Sequence, residues 1–121
     1  MSLTSFFSTT CETRELHADA QLRTRYYRNN FNQAKEAVDR IAATLGLEVR
    51  DVNPAHGEIY LLGNGFDIIV TAIQVTPIET GIDLKINVFS FAGFGRPRKL
   101  ALQWFAALDK QLKFKGVSLH P

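Results

Sequence analysis

The strongest constraint on the fold of this chain is the run "IDLKINVFSF", residues 82–91, in which Ile82, Leu84, Ile86 and Val88 alternate with Asp83, Lys85 and Asn87. A period of two puts the four apolar side chains on one face of an extended strand and the polar ones on the other. Such a strand belongs to an antiparallel sheet covered on one side, because strands of a doubly covered parallel sheet are apolar on both faces. The layer that covers it must present an apolar stripe of its own.

Two segments supply that stripe at helical spacing. In "NNFNQAKEAVDRIAATLGL", Phe31, Ala34, Val38, Ile41, Ala42 and Leu45 fall on one face. Asn30 and Gln33 have capping-box spacing, and Gly46 followed by Leu47 supplies a left-handed stop with an apolar closure. The second helix is expected from about Pro97 to Lys113, with Pro97 at its first position and Ala101, Trp104, Phe105, Leu108 and Leu112 as its stripe. Between the helices lie "LEVRDV", "EIYLLG", "FDIIVTAIQV" and the strand already described, separated by turn chemistry. Asn64-Gly65 predicts a type I′ hairpin, which needs positive φ at both central residues. "LRTRYYR", Leu22 to Arg28, reads as a first strand from its Thr and Tyr content.

The expected fold is therefore α+β: a two-layer sandwich with an antiparallel sheet of about five strands, two helices on one face, and the order β-α-β-β-β-β-α. At 121 residues the chain fits one domain, here residues 21–121, preceded by an arm of residues 1–20 without clear period that is expected to be extended or disordered. With 45% apolar and 21% charged residues the chain has the composition of a folded protein.

A single cysteine, Cys11, precludes an intrachain disulfide and suits a reducing cytoplasm. The N-terminus lacks the basic and long apolar regions of a signal peptide, and no window reaches the roughly 18 to 20 apolar residues of a membrane span. A cytoplasmic protein with no membrane partner is expected.

The formal net charge of +2 is small, but its distribution is uneven. Residues 96–115 hold Arg96, Arg98, Lys99, Lys110, Lys113 and Lys115 against Asp109 alone. "GFGRPRK", Gly93 to Lys99, places three of these cations at the start of the second helix, where the macrodipole is positive and a cation is unfavourable by roughly 0.3 to 1 kcal/mol. The glycines lack the third glycine, the Walker lysine and the βαβ setting of a nucleotide loop. Arg96, Arg98 and Lys99 are instead candidates for holding an anion or an acidic partner, jointly with helix N–H groups.

A second cluster, "RTRYYR", interleaves Arg23, Arg25 and Arg28 with Tyr26 and Tyr27, a composition suited to tracking a phosphate backbone while bases stack on the rings. In a strand, however, Arg25 and Tyr27 face one way and Tyr26 and Arg28 the other, which divides the cluster.

Catalysis has weaker support. His17, His56 and His120 stand in separate contexts without metal-ligand spacing, so no metal or other cofactor is assigned. His56 beside Glu58 on a turn could form an acid–base pair only if the fold built a cleft around them, and Cys11 has no neighbouring base to activate it. No catalytic residue is assigned.

The strand "FDIIVTAIQV" is apolar on both faces: Ile69, Ile73 and Val75 oppose Ile68, Val70 and Ala72. With Tyr60, Leu62, Phe89 and Phe91, this would leave an apolar patch on the sheet face away from the helices. A homodimer packed sheet on sheet, or cover by the arm with Phe6 and Phe7, would bury it. A hydrophobic ligand on that face is the lesser alternative.

The stretches "RYYRNNF", "VRDVNPAHGEIYL", "FGRPRKL" and "LKFKGVSLHP" resemble a family of small bacterial cytosolic proteins without an assigned activity. The element order is also similar to single-repeat domains of TATA-box-binding-protein-like topology, with two helices on one side of a curved antiparallel sheet. These resemblances imply a fold and no catalytic residue. The expected function is a non-enzymatic interaction or accessory module for an acidic partner or anion. Nucleic-acid binding through the sheet is the alternative, and a small enzyme or hydrophobic-ligand binder the next.

Overall fold

The computed structural model describes residues 9–89 and 95–121. Its elements run β1 (Thr10–Glu12), a 3₁₀ turn (Ala20–Leu22), β2 (Arg25–Tyr27), α1 (Phe31–Leu45), β3 (Glu48–Asn53), β4 (Glu58–Leu62), β5 (Phe66–Thr76), β6 (Glu79–Val88), α2 (Arg96–Gln111) and β7 (Phe114–Val117). From β2 to α2 the order is β-α-β-β-β-β-α, as read from the sequence. The sheet is larger than five strands, because β1 and β7 add to it. All pairings are antiparallel, in the spatial order β3-β4-β5-β6-β2-β7, with β1 also on β6. β1 and β2 share one edge of β6 end to end: Thr10 to Glu12 pair with Asn87 to Lys85, and Arg25 to Tyr27 with Ile82 to Thr80.

The alternation in β6 has the expected result. Ile82, Leu84, Ile86 and Val88 are buried with Ile68, Val70 and Ala72 of β5 and Ile59 and Leu61 of β4, in a core shared with both helices. From α1 come Ala34, Ala37, Val38, Ile41 and Ala42, and from α2 come Ala101, Trp104, Phe105 and Leu108.

Asn30 Oδ1 accepts from the Gln33 N–H at 2.9 Å and Gln33 Oε1 from the Asn30 N–H at 3.0 Å, so the capping box forms. Gly46 stops α1 at φ 72°, and its N–H reaches the carbonyls of Ala42 and Ala43. Leu45, the last residue of the stripe, departs from it and is 39% exposed.

The β4–β5 hairpin forms, but its turn is not type I′. Gly65 has φ 83° whereas Asn64 does not take positive φ. The Phe66 ring folds back over Gly63, where a Cβ would lie 2.6 Å from its Cζ, and the Gly63 N–H donates to the Phe66 carbonyl at 2.9 Å. A turn bracketed by that closure needs left-handed backbone at one residue only.

The face away from the helices carries polar ties between strands. Tyr60 Oη and Asn87 Nδ2 donate to Asp67 at 2.8 and 2.9 Å. Thr13 and Thr24 donate to Asp83 Oδ1 at 2.7 and 2.8 Å, fastening the segment after β1 to the sheet. Around them Ile73 and Phe89 remain largely exposed. Phe6, Phe7 and Phe91 lie outside the described residues. No helix is long and apolar enough to cross a membrane among the described residues.

Candidate functional site: the start of the second helix

Gly95, at φ 76°, turns the chain into α2 and offers no side chain to cap it. Arg96 follows as the first helical residue with Pro97 second, one position later than the sequence suggests, and Gly93 lies outside the described residues. The three cations have different fates. Arg98 Nε donates to Asp19 Oδ2 at 2.9 Å and its Nη2 donates to Gln21 Oε1. The arginine holds the Asp19 carboxyl below the usual carboxylate range. Arg98 thus fastens the 3₁₀ turn to α2, and Asp19 delivers an anion to the positive helix end.

Arg96 has no carboxylate among the described residues. Its guanidinium stands over the Phe66 ring, 5.2 Å from the centroid, and makes a long 3.4 Å contact with the Asn64 carbonyl. Lys99 is exposed and has no ion-pair partner among the described residues. It lies one turn on from Arg96, on the same side of the helix.

Arg96 borders a half-open cavity of about 320 Å³. Three elements enclose it: the end of α1 and its exit (Leu45, Gly46, Leu47), the β4–β5 hairpin (Asn64, Phe66), and the first turns of α2 (Arg96, Leu100, Gln103, Trp104). Polar and apolar surface share the walls about equally, and among the described residues Arg96 is the one charged lining residue. Trp104 is fully buried, and its Nε1–H has no hydrogen-bond acceptor. Unmatched buried donors are rare in folded proteins and need a cause.

The second cluster is engaged within the protein. Arg25 grips Asp109 near the far end of α2 with two hydrogen bonds, Nε to Oδ1 at 3.2 Å and Nη2 to Oδ2 at 2.7 Å. It also stands 4.2 Å from the centroid of the Phe114 ring. Tyr27, fully buried, donates to Asp109 Oδ1 at 2.7 Å. Burial and the neighbouring carboxylate push its hydroxyl far above the ordinary tyrosine pKa.

Tyr26 is buried on the opposite sheet face, with its ring against Gly81 and His120 and its hydroxyl donating to Glu15. Arg23 donates to the His17 carbonyl at 2.9 Å. Of these five residues only Arg28 is exposed. Neither tyrosine ring is presented for a base to stack on.

His56 is exposed on the β3–β4 connection and Glu58 is exposed at the first position of β4, with no hydrogen bond between them among the described residues, and the cavity at Arg96 lies elsewhere. Burial raises the Cys11 thiol pKa, opposite to what a nucleophile needs. Among the described residues no three His, Cys, Asp or Glu side chains converge as a metal site.

The cavity residues other than Arg96 were not singled out as a site by the sequence. Leu45 and Leu47 lie some fifty positions before Arg96, and only the fold brings them together. No known protein-family model matches the chain, and no curated protein matches it significantly. What the site does must follow from its own chemistry.

Proposed function

We propose that this protein is a non-enzymatic binding module that takes an anion, or an acidic group of a partner, at the start of α2. The observation that carries this reading is the state of Arg96: exposed, without a carboxylate among the described residues, and steadied over Phe66 in the lining of a cavity whose described lining residues hold no negative charge. A cation kept at the positive end of a helix disfavours the empty state, and an arriving anion relieves that repulsion while meeting the helix dipole and the guanidinium together. Lys99 adds a second charge one turn away, whereas Arg98 is already engaged by Asp19.

Calorimetric titration at low salt with inorganic phosphate, acetate, octanoate and a polyglutamate peptide tests this reading. At least one should bind, and the double substitution Arg96→Glu, Lys99→Glu should weaken that binding at least tenfold. Unchanged binding in the double variant, or no binding by any of the four, would remove the proposal.

The open sheet face supports self-association as a second property, because Ile73 and Phe89 leave apolar surface between the polar ties. A twofold sheet-on-sheet dimer would bury both, and sedimentation of Ile73→Asp beside the parent protein tests it. A cytoplasmic setting is in keeping with the single buried cysteine.

A further inference from the structure

Resting on that anion-binding reading, we infer that the cavity at the start of α2 takes a small amphipathic organic carboxylate, its acid group on Arg96 and its apolar body against Leu45, Leu47 and Leu100.

The argument begins with size. At about 320 Å³ the cavity lies at the lower end of the range for small-molecule sites and has the volume of roughly ten water molecules. A ligand of about ten to fifteen non-hydrogen atoms fits that space, while a phosphate or acetate ion would occupy only a corner of it. The lining sets the chemistry. Leu45, Leu47, Phe66, Leu100 and Trp104 form an apolar wall, whereas Arg96, Asn64 and Gln103 are its polar members. A neutral hydrocarbon would leave the guanidinium facing apolar matter, and an inorganic ion would leave the wall in water. A molecule with one carboxylate and one apolar body suits both parts.

Two independent features of the wall agree with this assignment. Leu45 belongs to the apolar stripe of α1 by spacing, yet it is left 39% exposed at the cavity instead of joining the core. Apolar surface held open beside a fixed cation is what an amphipathic ligand would cover. The second feature is Trp104, a lining residue of the cavity, fully buried, whose Nε1–H has no acceptor. Within the protein, this lining residue's donor is left unmatched.

Trp104 is the only tryptophan of the chain, so its indole N–H gives a single nitrogen–proton resonance that reports on the cavity wall. Titrating the full chain with octanoate should move that resonance saturably, with a Kd on the order of 1 mM for a ligand of this size. Arg96→Ala, an exposed position whose change leaves the core intact, should raise the Kd at least tenfold. Lys110→Ala, at the far end of the same helix, should leave it within twofold. Octanol, with the same chain and no charge, should bind at least tenfold more weakly than octanoate.

If phosphate and acetate move the resonance as effectively as octanoate, and Arg96→Ala abolishes all three effects, the amphipathic class is overturned while the anion reading stands. If octanol binds as tightly as octanoate and Arg96→Ala changes nothing, both are overturned. If no probe moves the resonance, the cavity is not the ligand site.

Discussion

Each end of α2 carries charge set against the helix macrodipole, beside a favourable Lys110 at the far end, and the two ends resolve it differently. Cations stand at its start and a carboxylate, Asp109, in its last turns, each beside the like-signed end of the macrodipole. At the far end the conflict is closed: Arg25 and Tyr27 both donate to Asp109, so its charge is neutralised and its oxygens are occupied. At the near end only Arg98 is answered, by Asp19, while Arg96 and Lys99 meet no carboxylate among the described residues. One end is a completed structural network and the other is held open at the edge of a cavity. A charge placed against a dipole marks a candidate site only where the fold has left it uncompensated.

The largest expected effect tests the completed end. Asp109→Ala would leave the guanidinium of Arg25, whose side chain is 19% exposed, and the hydroxyl of the fully buried Tyr27 without their acceptor. Breaking a partly buried pair in this way is expected to destabilise the fold by about 2 to 3 kcal/mol, read as a lower urea midpoint at pH 7. The same substitution should leave ligand titration at the cavity unaffected. A midpoint unchanged within error would mean that this network is ornamental and the comparison false.

The alkaline limb tests the same end through Tyr27. Its pKa is raised in the fold, so near pH 10 the unfolded chain loses the Tyr27 proton while the folded chain keeps it. Its contribution is fully present below pH 10 and falls as pH rises beyond, at up to about 1.4 kcal/mol per pH unit. Tyr27→Phe should lower stability by about 1 kcal/mol at pH 7 and flatten the loss between pH 10 and 11.5. Parallel pH profiles for the two proteins would exclude this role for the hydroxyl.

The two ends also differ in how well the sequence announces them. Elements set by local physics are legible: the capping box at Asn30, the stop at Gly46, the stripe from Ala101 to Leu112 and the alternation of β6 all follow from neighbours a few residues apart. β1 and β7 are three and four residues long, and their extended state comes from pairing with β6 and β2, for which neither carries a local pattern. Arg96 stands out in the sequence because cations precede a helical stripe. That Arg25 would be engaged does not, because Asp109 reaches it from 84 residues away. The cavity wall is hidden for the same reason, although the single tryptophan and a leucine just before the helix-stopping Gly46 are faint signals.

A smaller effect is expected at the answered cation of the near end. Arg98→Ala removes a pair whose members are each about one-third exposed, so the loss at pH 7 should be at most about 1 kcal/mol. The Asp19 pKa is lowered in the fold, so this contribution is present above pH 4 and fades as pH falls through the folded value. The difference between Arg98→Ala and the parent protein should therefore shrink below pH 4. A gap that persists at pH 2 would assign Arg98 a packing role.

The smallest effect separates the ends by sign. Lys99 is exposed in the first turn of α2 and Lys110 in its last, so reversing either charge changes little besides the interaction with the dipole. Lys99→Glu should raise stability by about 0.3 to 1 kcal/mol at low ionic strength, and Lys110→Glu should lower it by a similar amount. Both differences should collapse in 1 M salt, where the screening length falls to about 3 Å. In the same experiment Lys99→Glu should weaken anion binding although it strengthens the fold. A residue kept at a stability disadvantage and needed for binding is what separates a site from a solvated surface. Destabilisation by Lys99→Glu would instead mean that an unrecognised carboxylate already answers this lysine, and the near end would be as closed as the far one.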